Sequence, residues 1–221
     1  MTSISAVSLD LDGTLVDSIA DLARAANAMR EELGLAALAQ ERLQSFVGGG
    51  MALLVHRALT DDRDGRAQTD SFERGLTSFE RHYAAMLTDL TRPYPGVVEG
   101  LAALHSQGIR LACVTNKPFS FSEAILQRLD LAQYFELTLG GDSLPEKKPS
   151  PLPLRHVCER FGIEAHRMLM VGDSRYDLEA ARAAGCPVAL LSYGYEAVAP
   201  LGADWIFDNL VEVADLVNNA P

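Results

Sequence analysis

The chain has 221 residues, enough for one large domain or for a domain that carries an insertion. Apolar residues make up 48% and charged residues 22% of it, which is ordinary for a globular protein and excludes a disordered chain. The formal net charge of −11 argues against nucleic acids and anionic membranes as partners, since both require a cationic surface. No apolar run approaches the roughly 18 residues of a membrane span, and the first residues lack signal-peptide features, so we expect a cytoplasmic protein.

The predicted elements begin with a short buried strand at residues 4–10, which ends in carboxylates. A helix follows, with Ser18 as its expected cap and Asp21 in the position of a capping-box acid. The apolar spacing then remains helical, with three further helices predicted at 40–46, 50–60 and roughly 68–90. Residues 17–91 therefore predict an all-helical segment.

After residue 91 the pattern changes to alternating strands and helices. The apolar strands are predicted at 109–115, 136–141, 167–173, 187–192 and 205–207, and the helices at 96–107, 119–129, 151–162, 176–184 and 209–218. Such alternation is typical of a parallel sheet that helices cover on both faces. We therefore expect an α/β fold: a Rossmann-like parallel-sheet core formed by residues 1–16 and 92–221, with an all-helical domain inserted at 17–91.

Polar side chains stand where three of these apolar strands end: Asp10, Thr115 and Asp173. In open parallel sheets, ligands bind beyond the carboxyl ends of the strands. These three residues are far apart in sequence, and the predicted fold would allow them to meet at one edge of the sheet.

The first two motifs at these strand ends combine carboxylates with potential phosphate ligands. DLDGT at 10–14 places Asp10 and Asp12 beside Gly13, whose backbone can approach a ligand closely. TNK at 115–117 offers the Thr115 hydroxyl and the Asn116 amide, which can hold phosphate oxygens. Alone, the first motif has an ordinary explanation as an Asp-rich turn, and the second is a weak signal.

The next two motifs add a cation and further carboxylates. In KPSP at 148–151, flanking prolines fix Lys148, which can supply a point charge to an anion. In GDSRYD at 172–177, Asp173 and Asp177 are hard oxygen ligands of the kind that Mg²⁺ prefers. A loop lysine and a helix cap formed by Asp173 or Ser174 are the structural alternatives for these positions.

The order DLDGT, TN, KPSP, GDSRYD resembles the haloacid dehalogenase superfamily, and the resemblance covers the whole chain. It implies a parallel-sheet core with the superfamily's helical cap inserted after the first strand. It also implies that Asp10 is a nucleophile that forms an aspartyl-phosphate, and that Asp12 acts as general acid and then general base.

The same resemblance assigns the remaining site residues. Phosphoryl and substrate contacts would come from the side chains of Thr115, Asn116 and Lys148 and from the backbone at Gly13. Mg²⁺ would be held by the carboxylates of Asp10 and Asp173 and the backbone carbonyl of Asp12. Asp177 would support this site from a second layer.

Within the superfamily, Asp12 favours phosphate esters over haloacids as substrates. The segments TNKP (115–118), GGDSLPEKKPSPLPL (140–154) and SYGY (192–195) resemble the phosphoglycolate phosphatase branch. The resemblance therefore implies hydrolysis of a small phosphorylated metabolite, with 2-phosphoglycolate as the leading substrate, by a monomer or a homodimer.

Three alternatives remain open at this point. Phosphatases for sugar phosphates or pyrophosphate share the four motifs, and so does a phosphosugar mutase. A catalytically silent phosphate-binding module could have the same fold, although such a relative would be expected to lose Asp10 or Asp12, and both are present.

Overall fold

The computed structural model describes residues 3–218. The chain divides into two compact units: one comprises the residues up to Asp17 and from Pro93 onward, and the other comprises Ser18–Arg92. These boundaries lie one residue beyond those expected from the sequence. Among the helices in the described part of the chain, none has the length and apolar character needed to cross a membrane.

Within residues 3–218 the chain forms eight strands and nine α-helices. The strands are β1 (Ala6–Leu9), β2 (Val16–Asp17), β3 (Arg92–Pro93), β4 (Arg110–Val114), β5 (Leu137–Leu139), β6 (Met168–Gly172), β7 (Val188–Leu191) and β8 (Trp205–Phe207). The helices are α1 (Ile19–Glu32), α2 (Gln40–Gln44), α3 (Met51–Thr60), α4 (Thr69–Met86), α5 (Val97–Ser106), α6 (Phe119–Arg128), α7 (Leu152–Phe161), α8 (Arg175–Ala184) and α9 (Leu210–Asn218).

Six strands of the core unit form one parallel sheet in the order β5-β4-β1-β6-β7-β8. The central strands are fully buried and, apart from Ser8 in β1, apolar, because helices leave neither face of a parallel sheet open to water. The predicted α/β fold is confirmed. The short strands β2 and β3 pair in a separate sheet where the chain passes from one unit to the other, and the sequence did not predict them.

The Ser18–Arg92 unit contains helices α1–α4 and ends on the first residue of β3. Each long helix buries one apolar stripe: Ala25, Ala26 and Met29 of α1 are inaccessible to water, as are Phe79 and Tyr83 of α4. The predicted all-helical insertion is confirmed.

The expected capping box at the start of α1 is wrong. The side chain of Ser18 makes no capping hydrogen bond to this helix. The Asp21 carboxylate instead accepts hydrogen bonds from the backbone N–H groups of Leu90 and Thr91, at 2.9 and 2.8 Å, and from the Thr91 hydroxyl at 2.8 Å. A buried carboxylate is stabilised more by three converging donors than by one amide of its own helix, so Asp21 fastens the two ends of the helical unit together.

Candidate active site

The centre of the sheet brings the predicted strand-end residues to one edge. In β1, Leu9 stands opposite Cys113 of β4 on one side and Val171 of β6 on the other. Asp10 follows Leu9 directly, and its backbone N–H donates to the Val171 carbonyl at 3.0 Å. Thr115 and Asp173 each follow the residue opposite Leu9 by two positions, so all three predicted residues emerge beyond neighbouring strand ends.

Three carboxylates meet at this edge. Asp10, Asp173 and Asp177 are buried, and one carboxylate oxygen from each lies within 4.8 Å of the others. Burial raises the pKa of Asp10 to about 6; Lys148 opposes this rise and Asp177 adds to it. Burial, together with the charges of Asp177 and Asp10, raises the pKa of Asp173 well above its ordinary value. The burial and closeness of the three carboxylates therefore disfavour their simultaneous ionisation.

Lys148 compensates part of this negative charge. Its Nζ lies 3.0 Å from Oδ1 of Asp10 and 2.6 Å from Oδ1 of Asp177, and the residue is only 2% exposed. Burial works against the charge of Lys148, but the two carboxylates outweigh it and raise the lysine's pKa above its usual value. A permanently charged ammonium thus lies beside the predicted nucleophile.

Asp173 is oriented by its neighbours. Its carboxylate accepts hydrogen bonds from the Thr14 hydroxyl at 3.2 Å and from the Tyr195 backbone N–H at 2.7 Å. Gly13 has φ of +83°, and a Cβ at this position would collide with the Asp173 carboxylate. A Cβ on Gly194 would collide with Asp173 as well. Both glycines are therefore required for the close approach of backbone to this carboxylate.

Asp177 supports the cluster from the first turn of α8. One of its oxygens accepts hydrogen bonds from the Ser174 hydroxyl at 2.6 Å and the Ser174 backbone N–H at 3.1 Å. The second of these bonds, together with the Ser174 side chain accepting from the Asp177 backbone N–H, forms a capping box. Its other oxygen accepts the hydrogen bond from Lys148. The structure thus gives Asp177 two tasks, to cap a helix and to hold the lysine in place.

Asp12 lies on the same loop as Asp10 but has a different cation. The Nζ of Lys117 lies 2.9 Å from Oδ1 and 3.0 Å from Oδ2 of Asp12. The sequence did not predict this ion pair. A signal was available, since this chain has 16 arginines and only three lysines, and two of those lysines fall at 117 and 148.

Thr115 and Asn116 follow β4 and are buried. The Thr115 hydroxyl accepts a hydrogen bond from the Lys117 backbone N–H at 3.3 Å. The Asn116 side-chain amide donates to the backbone carbonyl of Lys148 at 2.8 Å. Asn116 therefore connects the second predicted motif to the third, a structural role that was not expected from the sequence.

The donor set fits Mg²⁺. The four carboxylates of Asp10, Asp12, Asp173 and Asp177 and the two ammonium groups of Lys117 and Lys148 leave a formal charge of −2 at this edge. Burial first, and then the neighbouring carboxylates, raise the pKa values of Asp10 and Asp173, so their ionised forms are disfavoured. A hard dication with oxygen ligands would supply compensating positive charge.

Comparisons with known proteins place this geometry in a family. Residues 7–191 match the family model described as haloacid dehalogenase-like hydrolase. The chain is 50% identical over 216 residues to the phosphoglycolate phosphatase of Chromobacterium violaceum, which covers 98% of this chain and 97% of that protein. It is also 50% identical over 216 residues to the phosphoglycolate phosphatase of Neisseria meningitidis, with 95% and 92% covered.

A solved structure agrees with these matches. The crystal structure of a predicted phosphoglycolate phosphatase from Haemophilus somnus is 36% identical, with a TM-score of 0.92 over 98% of this chain and 99% of that one. The prediction of a phosphoric monoester hydrolase similar to phosphoglycolate phosphatases is confirmed. The chain belongs to the haloacid dehalogenase-like hydrolase family.

Proposed function

We propose that the protein is a Mg²⁺-dependent phosphatase that converts 2-phosphoglycolate to glycolate and inorganic phosphate through an aspartyl-phosphate on Asp10. The observation that supports this most is the buried Asp10 carboxylate, held 3.0 Å from the Lys148 ammonium at the edge of the sheet. Similarity to proteins named phosphoglycolate phosphatase, over nearly the whole chain, supports the choice of substrate.

In the first half of the reaction, an oxygen of Asp10 forms a bond to phosphorus and the bond from phosphorus to the ester oxygen breaks. Asp12 enters this step in its protonated form and gives that proton to the ester oxygen, so glycolate leaves as the alcohol. Lys148 balances the charge of the nucleophile and of the phosphoryl oxygens as they approach each other, which is where phosphoryl transfer most needs stabilisation. Thr115 is expected to donate its hydroxyl hydrogen bond to a phosphoryl oxygen.

In the second half, water attacks the phosphorus of the aspartyl-phosphate and gives its proton to Asp12. The bond between phosphorus and Asp10 breaks, phosphate is released, and both aspartates return to their starting states. Asp12 therefore carries the proton in both directions, which requires its carboxylate to stay beside the ester oxygen and then beside the attacking water.

The carboxylates of Asp10 and Asp173 and the backbone carbonyl of Asp12 would hold Mg²⁺. When bound, the ion supplies positive charge that favours the ionised form of Asp10 and offsets the negative charge of the phosphoryl group. Two observations support the choice of Asp173: Thr14 and Tyr195 orient its carboxylate, and the alternative ligand Asp177 is already bound to Lys148 and Ser174.

The cysteines support the cytoplasm as the site of this reaction. Cys113, Cys158 and Cys186 are buried free thiols, as is usual in a reducing compartment. The oligomeric state, monomer or homodimer, stays a prediction.

The proposal is tested by assaying a panel of phosphate esters with Mg²⁺ and with excess chelator. The panel contains 2-phosphoglycolate, several sugar phosphates, pyrophosphate and a mutase substrate. We expect the highest kcat/KM for 2-phosphoglycolate and no turnover in chelator. A preference for another ester would overturn the substrate, isomerised product without released phosphate would indicate a mutase, and full activity in chelator would overturn the metal.

A further inference from the structure

The two buried lysines of the site pair with different aspartates. Lys148 contacts Asp10 and Asp177, whereas Lys117 contacts both oxygens of Asp12. The Lys117 side chain is 4% exposed and that of Asp12 is 13% exposed, so this ion pair is protected from water and salt screening. Surface ion pairs contribute little, but a protected pair that contacts both oxygens fixes the orientation of a carboxylate.

The backbone that carries Lys117 is itself fixed to the sheet. The Lys117 carbonyl accepts a hydrogen bond from the Gly141 backbone N–H at 2.8 Å, and the Lys117 N–H donates to the Thr115 hydroxyl. A Cβ at Gly141 would collide with the Asn116 carbonyl, so only glycine allows this approach. The Lys117 ammonium therefore starts from a rigid position just beyond the end of β4.

We propose that Lys117 is a positioning residue that holds the Asp12 carboxylate on the leaving-group side of the site. This inference rests on the proposed function, in which Asp12 transfers the proton. The Asp12 side chain can rotate about its single bonds, and the two contacts with the Lys117 ammonium favour one orientation of its carboxylate. Misplacement of a reacting group by about 1 Å can cost on the order of 10²-fold in rate, which sets the scale of the benefit.

A direct role of Lys117 in substrate binding leads to different expectations. If the ammonium bound the substrate carboxylate, its removal would lower kcat/KM for 2-phosphoglycolate. The kcat/KM for ethyl phosphate, which has no carboxylate, would be unchanged. If the ammonium orients Asp12, its removal lowers kcat/KM equally for both alkyl esters. The loss of kcat/KM is then smaller for an aryl ester such as 4-nitrophenyl phosphate, because that leaving group needs little protonation.

The experiment compares kcat/KM, which reports the first irreversible step, for these three esters with wild type, Lys117→Met, Lys117→Arg and Lys147→Met. Lys147→Met is the matched control, because it removes the third lysine, which is half-buried and takes part in none of the site's ion pairs among residues 3–218. For Lys117→Met we expect a loss of about 10- to 10²-fold for both alkyl esters and a smaller loss for the aryl ester. Lys117→Arg should recover part of the loss, and Lys147→Met should show none.

A double-mutant cycle with Asp12→Asn separates positioning from a merely structural effect. If Lys117 acts through Asp12, Lys117→Met should cause no further loss of kcat/KM in the Asp12→Asn background. Additive losses, or a loss confined to 2-phosphoglycolate, would overturn the inference. If Lys117→Met does not give folded protein, Lys117→Gln carries the same comparison.

The proposed function fails in a different way. If Asp12→Asn itself lowers kcat/KM equally for alkyl and aryl esters, then Asp12 is not the general acid and the premise is wrong. If Asp12→Asn shows the expected difference between esters but Lys117→Met does not, the proposed function stands and only the role of Lys117 is refuted.

Discussion

Replacing the nucleophile should make the metal-free protein more stable while it abolishes turnover. Asp10 is buried, and its pKa is raised from the ordinary value of 3.8 to about 6, with burial as the largest cause. Its ionised form is therefore unfavourable in the folded chain, even though Lys148 lies 3.0 Å away. Asp10→Asn replaces this carboxylate by a neutral group of nearly equal size, which keeps the Leu11 N–H acceptor at the same place.

The size and the pH dependence of this effect follow from the shift. A rise of the pKa from 3.8 to about 6 corresponds to about 3 kcal/mol, at most, of destabilisation by the ionised form. Because the folded-state pKa is the higher one, the folded chain binds more protons than the unfolded chain between these two values. Below pH 4 the neutral Asp10 therefore costs the folded chain no stability. The free energy of unfolding falls as the pH rises through about 6 and Asp10 ionises.

The measurement is urea unfolding of wild type and Asp10→Asn in chelator between pH 4 and 8, with Asp130→Asn as an exposed control of the same charge change. We expect the two proteins to differ little at pH 4, and the variant to be more stable by up to about 3 kcal/mol above pH 6. Mg²⁺ should reduce the difference by stabilising wild type. A variant that is less stable than wild type at pH 7 in chelator would refute the reasoning.

Three further substitutions test the environment of the carboxylates. Asp173→Asn should raise the Mg²⁺ concentration needed for half-maximal activity by at least about tenfold; an unchanged Mg²⁺ titration would contradict its role as a ligand. Gly13→Ala should destabilise the fold by about 1–3 kcal/mol and weaken Mg²⁺ binding measured by calorimetry, because its Cβ collides with Asp173 and its φ is +83°. Lys148→Met should lower the free energy of unfolding in chelator at pH 7 by about 3–5 kcal/mol, since it leaves Asp10 and Asp177 buried without their cation; a loss below 1 kcal/mol would show that water replaces the lysine.

Most of the core could be predicted because its strands leave a strong pattern. Runs such as Met168–Gly172 and Val188–Leu191 are apolar throughout and alternate with amphipathic helices, so the hydrophobic pattern of the sequence predicts the type and order of these elements. The two-residue strands Val16–Asp17 and Arg92–Pro93 were not predicted, because two residues are too few to show a hydrophobic period. These strands form only because the two distant segments pair with each other.

The two serine–aspartate pairs show where local pattern stops being informative. Ser18 and Asp21 have the same spacing as Ser174 and Asp177, yet only the second pair forms a capping box. Tertiary contacts decide whether the box forms: Asp21 accepts hydrogen bonds from donors on a segment about 70 residues away instead of capping its own helix. At the site, strand ends predicted Asp10 and Asp173, but the pairing of Lys117 with Asp12 depends on which loops lie side by side beyond β1 and β4.

The formation of an aspartyl-phosphate on Asp10 tests the central claim most directly. Enzyme mixed with 2-phosphoglycolate and Mg²⁺ is quenched in acid within one turnover, digested, and examined by mass spectrometry for phosphoryl groups. We predict a phosphorylated peptide containing residue 10 that forms and decays at rates compatible with kcat, and that is missing in Asp10→Asn. Turnover with no phosphorylated Asp10 peptide at any quench time, or turnover by Asp10→Asn within tenfold of wild type, would contradict the account.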